Sequence, residues 1–162
     1  MMPLLRQVTS LSNDVITGTN VEFPDAAITL TRTANVAITT AGYDVAWQSQ
    51  IRGQGLTWSA VSPANITINT AGYYLLQTQF SFSANTAGNS DLVVNNSAVL
   101  KLWEPVSNNR WVFSYTRYFN TSDFIRLRIF PSLNVTLNAT AEGSTNESPI
   151  LHIVQIARQT SP

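Results

Sequence analysis

The sequence has no cysteine and few charged residues. Without cysteine, its 162 residues form no disulfide and offer no thiolate to a metal ion. Charged residues make up 11% of the chain, against roughly 25% in an average soluble domain. Nine basic residues balance nine acidic ones, so the chain lacks the excess of positive charge typical of nucleic-acid binding. We therefore expect no nucleic-acid partner, and a polar, weakly charged surface suited to self-association.

Long apolar runs are also absent. No stretch approaches the roughly 20 apolar residues that span a membrane, so no membrane partner is expected. The first residues, 1–6, lack the sustained apolar region of a secretory signal. Asn-X-Ser/Thr sequons occur at Asn65, Asn95, Asn120, Asn134, Asn138 and Asn146. Because no signal is expected, we interpret them as by-products of an Asn- and Thr-rich β protein, rather than as glycan acceptors.

Groups for catalysis or metal binding are sparse. The single histidine, His152, lies between Leu151 and Ile153 in an apolar segment, where we expect a hydrogen-bonded interior residue rather than a base. No calcium loop and no phosphate-binding loop is present. We therefore predict a non-enzyme without cofactor or metal. Two carboxylates meeting in space as a glycosidase pair stay open as an alternative, from the scattered set Asp14, Glu22, Asp25, Asp44, Asp91, Glu104, Asp123, Glu142 and Glu147.

The central pattern of the chain runs over residues 64–82. Two alternating segments flank a turn at Thr70-Ala71-Gly72, which predicts two strands. After the turn, the apolar residues at even-numbered positions should share one face of the strand and enter the core: Tyr74, Leu76, Phe80 and Phe82. The opposite face of this strand begins with apolar residues and ends with amide side chains: Tyr73, Leu75, Gln77 and Gln79. A sister subunit or the rest of the same domain could cover that second face.

Further alternating segments follow at residues 111–119, 124–130 and 133–137. The last segment, 150–157, is apolar on both parities, which predicts burial on both faces. Residues 84–90 and 105–110 are turn-rich and predict loops, and Asn95-Asn96 predicts a tight hairpin. Eight to ten strands at short spacing indicate a sandwich or barrel.

Two sets of side chains are candidates for partner contact. Arg126 and Arg128 share one face of a predicted strand, either as a solvated face or as a contact with another subunit or an acidic partner. The four tryptophans either fill the core and interfaces or form a platform for carbohydrate, since aromatic rings stack on sugar faces: Trp47, Trp58, Trp103 and Trp111. A glycan ligand is therefore an open alternative.

The order of these segments resembles the tumour-necrosis-factor-like superfamily, which includes the globular heads of complement. A short strand, Ala71-Gly72-Tyr73 and a long strand ending in aromatic residues carry the resemblance, which extends over about residues 30–158. This chain has Asn95-Asn96 and Ser122-Asp123 where the superfamily commonly has Asn-Gly and Gly-Asp. The resemblance implies a ten-stranded jelly-roll β-sandwich that forms a homotrimer. By motif position, the implied trimer interface contains Tyr73, Leu75, Gln77, Leu151 and Ile153.

These observations predict an N-terminal arm over 1–30, a jelly-roll domain over 31–158 and a short tail over 159–162. The arm either anchors the protein to a larger assembly or is a first strand with ordinary coil. Viral members of the superfamily look similar, so the predicted function is a trimeric decoration or cement protein on a phage capsid. Its partners would be further copies of itself and either the major capsid protein or another virion protein. Its location would be the virion. The alternative is a receptor- or glycan-binding tip of a tail or host-surface fibre.

Overall fold

The computed structural model describes residues 26–139 and 149–158, and every regular element in that part of the chain is a β-strand. No helix among these residues is long and apolar enough to cross a membrane. The strands are β1 (Ala27–Thr31), β2 (Val36–Ile38), β3 (Tyr43–Asp44), β4 (Ser49–Gln54), β5 (Leu56–Trp58), β6 (Ile66–Ile68), β7 (Gly72–Val94), β8 (Ser97–Phe119), β9 (Phe124–Pro131), β10 (Val135–Leu137) and β11 (Ile150–Arg158).

The strands form two layers that share β7 and β8. The first layer has the order β4-β1-β11-β7-β8 and contains residues 72–81 of β7. The second has the order β5-β6-β9-β7-β8 and contains residues 88–94 of β7. β3 pairs with the end of β9, and β2 pairs with β10 beside Phe82. The predicted all-β sandwich is confirmed, with eleven strands in the described residues where about ten were expected.

The two segments predicted as loops, 84–90 and 105–110, lie within the 23-residue strands β7 and β8. The pairing of β7 with β8 shifts register between Ser81 and Thr86 and again between Thr86 and Gly88. Such bulges bend a strand and increase its twist. Both strands therefore pass from one layer to the other without ending, and the loop prediction was wrong.

Two short turns set the register at the far end of the sandwich. Asn95 and Asn96 have φ angles of 48° and 71°, the left-handed geometry of a two-residue hairpin between β7 and β8. The predicted hairpin is confirmed. Ser122 has a φ of 71° in the turn before β9, and Asp123 Oδ2 accepts a hydrogen bond from the Asn120 backbone amide at 2.8 Å in that turn.

The core lies between the two layers, and strand alternation supplies it. The predicted inward residues of β7 are all buried, and those of β8 and β9 alternate into the core in the same way. The largest side chains fully buried in the core are Trp47 and Trp111, and Trp111 is in edge-to-face contact with Phe82 at 4.6 Å between ring centroids. β1, β6, β7 and β9 therefore each have one apolar face in the interior, as their sequence patterns predict.

The sandwich begins before residue 31. β1 pairs with both β11 and β4, and Ile28 and Leu30 are core residues. Residues 27–30, which were assigned to the arm, are thus part of the domain because their alternating apolar side chains are needed to close the core. The rest of the predicted arm, 1–25, and the tail, 159–162, lie outside the described residues.

Candidate self-association face and neighbouring polar clusters

The first layer has an outward face that combines aromatic, aliphatic and amide side chains. On β7 this face carries the parity opposite to the core, as predicted from the sequence. Three large apolar side chains are exposed there: Tyr73 at 50%, Val112 at 65% and Ile156 at 55%. We call this surface the outward face, defined by Thr29, Tyr73, Leu75, Gln77, Val112, Ser114, Thr116, Tyr118, His152, Val154 and Ile156.

The centre of the outward face is apolar. Leu75 of β7 lies directly between Thr116 of β8 and Val154 of β11 in the strand register. Beside it, Tyr73 and Tyr118 occupy opposed positions, and their rings meet edge to face at 5.3 Å between centroids. Closely spaced cross-strand side chains of this kind form a continuous surface that a partner could cover.

A polar row crosses the same face next to the apolar centre. Thr29, His152, Gln77 and Ser114 occupy directly paired positions on β1, β11, β7 and β8. His152 Nδ1 lies 3.1 Å from Thr29 Oγ1, at hydrogen-bonding distance. The prediction of an interior histidine was wrong: His152 is exposed in the single chain, because the core parity of β11 belongs to its neighbours Leu151 and Ile153.

The five residues implied as a trimer interface separate into two groups. Tyr73, Leu75 and Gln77 lie on the outward face, so the interface stays a prediction for them. Leu151 and Ile153 lie on β11 in the first layer, but their side chains are buried in the core of their own chain. They cannot reach a second subunit. β11 instead offers His152, Val154 and Ile156 on its outward side, which is uncovered in the single chain, so burial of that side by a second subunit stays a prediction.

Arg126 and Arg128 do not project as free cations from the second layer. Arg128 donates from Nε and Nη2 to the two carboxylate oxygens of Asp44, at 2.5 and 2.9 Å. Arg126 Nε lies 3.4 Å from Asp44 Oδ2, and its Nη2 donates to Asn96 Oδ1 at 3.0 Å. The hydrogen bond to Asp44 raises the pKa of Arg128 above its ordinary value, with a smaller contribution from the charge of Asp91. Contact of these arginines with another molecule stays a prediction.

The tryptophans do not form a shared platform. Trp47 and Trp111 are buried, and Trp58 packs against the core with Nε1 donating to the Pro63 carbonyl at 3.0 Å. Trp103 alone among the four is largely exposed, at 67%. The ammonium group of Lys101 lies 5.6 Å from its ring centroid, within the range of a cation–π contact. Core filling therefore accounts for three tryptophans, and Trp103 remains as a candidate contact residue.

The described residues include no cluster of side chains arranged for metal binding, and most of the described carboxylates are engaged in ion pairs or hydrogen bonds. In that part of the chain no three histidine or acidic side chains cluster as metal ligands. Asp44 is engaged by two arginines, and Asn89 Nδ2 donates to Asp91 Oδ1 at 2.7 Å. Of the other carboxylates described, Asp123 accepts from Asn95 Nδ2 at 2.7 Å. Asp14, Glu22, Asp25, Glu142 and Glu147 lie outside the described residues.

Comparisons with known proteins identify the fold. Neither a protein-family model nor a curated protein matches the sequence. Among solved structures, Eiger TNF from S. frugiperda aligns with a TM-score of 0.60 at 16% identity, over 86% of this chain and 97% of that one. Murine APRIL gives a TM-score of 0.57 at 16% identity, over 81% and 98%. The globular domain of zebrafish complement 1qA gives 0.54 at 11% identity, over 83% and 99%.

These likenesses show that the chain has the jelly-roll fold of the tumour-necrosis-factor and complement-head structures. The fold implied by the sequence resemblance is thereby confirmed. The similar structures lend no support to a viral origin.

Sequence reasoning missed two polar sites. The Asp44 pairing joins residues 84 positions apart, which no local pattern reveals. Arg32 is 4% exposed, and a signal for its burial was present, because it continues the inward parity of Ile28 and Leu30.

Proposed function

We propose that the protein is a non-enzymatic module that assembles as a homotrimer through the outward face and presents its second layer and loops to a macromolecular partner. One observation carries this proposal: the exposed apolar side chains Tyr73, Val112 and Ile156 lie on one face of the first layer. Large apolar side chains gathered on one sheet face are typical of an interaction surface. The resemblance to the tumour-necrosis-factor-like superfamily supplies the expected threefold symmetry.

The experiment that tests this proposal is a mass measurement in solution. Light scattering coupled to size exclusion should give three times the 17.8 kDa mass of one chain. The same mass should persist on dilution to low micromolar concentration, since a trimer through a large apolar face is stable. A mass of 17.8 kDa at all concentrations would refute the self-association part of the proposal.

Within this class, we propose attachment to a virion as a decoration or cement protein of a phage capsid. Support for it comes from the sequence: a charge-poor composition, the absence of recognisable catalytic motifs and the similarity to viral members of the superfamily. Quantitative mass spectrometry of purified particles tests it, with the major shell protein as internal standard. Hundreds of copies per particle would agree with decoration, and absence from particles would refute the virion location.

A second candidate function is ligand recognition at the tip of a tail or host-surface fibre. The exposed ring of Trp103, with Lys101 against it, favours this alternative, since such rings stack on sugars. A glycan array separates the two functions. Sugar-specific binding that is lost in Trp103→Ala but kept in Val106→Ala, another exposed residue of β8, would favour the fibre tip. In the mass spectrometry of purified particles, a few to a few tens of copies of the protein per particle would agree with the fibre-tip function.

A further inference from the structure

Arg32 is a buried cation without an acidic partner in the described part of the chain. It lies one residue after the end of β1 and is 4% exposed. The acidic residue nearest to it in the described sequence, Asp44, pairs instead with Arg126 and Arg128. A buried guanidinium normally requires a compensating negative charge, because removing it from water costs several kcal/mol. No acidic side chain in the described part of the chain supplies that charge to Arg32, and the ring of Tyr43, whose centroid lies 5.9 Å from Arg32 Cζ, gives only a cation–π contact.

The hydrogen bonds of Arg32 are incomplete. A guanidinium has five N–H donors. Nη1 donates to the Tyr43 hydroxyl at 3.1 Å and to the Ala46 carbonyl, and Nη2 donates to the Ala34 carbonyl at 3.1 Å. All three acceptors are neutral. Nε is buried and has no partner among the described residues, so two of the five donors are left for another acceptor.

A cavity of about 460 Å³ opens beside this guanidinium. Among the described residues, its wall contains further donors and no carboxylate. Trp47 is buried there with Nε1 lacking a hydrogen-bond partner. Gln48 Oε1 accepts from the backbone amides of Thr33 and Ala34 at 2.9 and 2.8 Å, which leaves the Gln48 amino group to donate elsewhere. The remaining wall is formed by the ring of Tyr43 and by Pro63, together with alanine side chains.

The frame of the cavity is fixed by backbone hydrogen bonds. Trp47 N donates to the Pro63 carbonyl, and Gln48 N donates to the Thr31 carbonyl, both at 2.9 Å. Tyr43 and Asp44 are adjacent on β3 and point to opposite sides, so Tyr43 contacts Arg32 while Asp44 is held at the second layer. The backbone around these donors is thus held in place, and Asp44, the nearby acid among the residues that the structure describes, is directed away from them.

We propose that this cavity binds a small carboxylate-bearing ligand, of the size and shape of an acidic monosaccharide, with its carboxylate against Arg32. One guanidinium balances one carboxylate charge, and its planar donors match a carboxylate in geometry. The cavity is larger than a bare inorganic anion needs and lies within the range of small-molecule sites. The partly exposed side chains of Tyr43 and Pro63 suit the apolar face of a sugar ring. Arg32 Nε and Trp47 Nε1 are shielded from solvent, so the proposal requires both side chains to rotate towards the ligand.

The first test titrates the full chain with sodium glucuronate and observes the arginine Nε–H and tryptophan indole signals by NMR. We expect saturable shifts of Arg32 and Trp47, with Trp103 unaffected. Glucose matches the ring but lacks the charge and should leave both signals in place. Acetate should shift the same signals at higher concentration. No saturable shift with glucuronate, an equal response to glucose, or an equal response to phosphate would overturn the proposal.

A second test uses a substitution that preserves the local hydrogen bonds. In Gln48→Glu, a carboxylate oxygen can still accept from the backbone amides of Thr33 and Ala34, and its charge competes with the ligand for Arg32. Glucuronate affinity should fall at least about tenfold. Gln54→Glu makes the same chemical change at an exposed position of β4 outside the cavity and should bind as the unaltered chain does. Unchanged affinity in Gln48→Glu would contradict the assignment. This test does not depend on the oligomeric state measured for the proposed function.

Discussion

Tyr73 and Tyr118 face each other across β7 and β8, with ring centroids 5.3 Å apart and ring planes at 69°. Both rings lie on the outward face, beside Leu75. An edge-to-face pair of this kind is worth about 1 kcal/mol beyond the area that it buries. Because Tyr73 remains half exposed in the single chain, much of its apolar surface is available for contact with another subunit.

Replacement of Tyr73 by aspartate should dissociate the proposed trimer. A carboxylate in the middle of a packed apolar interface loses its hydration without gaining a partner, which costs several kcal/mol. The domain itself should stay folded, because the Tyr73 side chain is outside the core. Size exclusion with light scattering measures the mass, and circular dichroism checks the β-sheet signal.

The control for this substitution is Val61→Asp, at a loop residue that is 94% exposed. It introduces the same charge away from the outward face and should leave the mass unchanged. Should Tyr73→Asp keep the mass of the unaltered chain, the interface must lie elsewhere on the molecule.

Substitution of Gly88 by alanine should destabilise the fold by about 1–3 kcal/mol, the usual cost of overpacking. Gly88 has a φ of 154°, and a Cβ there would overlap the Phe130 carbonyl oxygen and the Trp111 ring. Gly53→Ala is the matched control, since its Cβ would meet only the movable amide end of Gln50. Urea denaturation measures both variants. Equal midpoints for the two would show that β7 can shift away from β9 at little cost.

The sequence predicted the inward parity of the long strands because apolar and polar residues alternate there with few exceptions. It did not predict the course of β7 through residues 84–90. Glycine, asparagine and serine in that segment indicate a break in regular structure, but the same composition suits a loop and a pair of bulges. Only the pairing with β8 and β9 distinguishes the two, and that pairing is a long-range property.

The candidate sites were predictable to different degrees. The outward face of β7 followed from its second parity, which begins with Tyr73 and ends in amides. The sequence did not predict which face of β11 enters the core, because Leu151, Val154 and Ile156 make both of its faces apolar. The counter-ion of Arg128 was hidden for another reason: Asp44 reaches it through a two-residue strand too short to give a sequence pattern.

Replacement of Asp44 by asparagine should lower the free energy of unfolding by about 1 kcal/mol, as expected for a partly exposed ion pair with good geometry. The loss should shrink at high salt, because screening already weakens the pair in the unaltered chain. Arg128→Gln should cost more than Arg126→Gln, since Arg128 makes two hydrogen bonds to Asp44 and Arg126 approaches it at 3.4 Å. Thermal unfolding in low and high salt measures these differences. If each substitution lowers the free energy of unfolding equally at low and high salt, the stabilisation by the Asp44 ion pairs is not electrostatic.

The buried phenol of Tyr115 should make the fold sensitive to alkaline pH. Burial raises the pKa of Tyr115 from 10.0 to about 12. Between these pH values the unfolded chain loses the phenolic proton while the folded chain keeps it, so stability is complete below pH 10 and falls as pH rises towards 12. The full shift corresponds to about 3 kcal/mol. Urea denaturation at about pH 9 and at about pH 11.5 measures the free energy of unfolding at each pH. The decrease in this free energy between the two pH values should be smaller for Tyr115→Phe than for the unaltered chain. A pH dependence in Tyr115→Phe as steep as in the unaltered chain would mean that other groups cause the alkaline loss of stability.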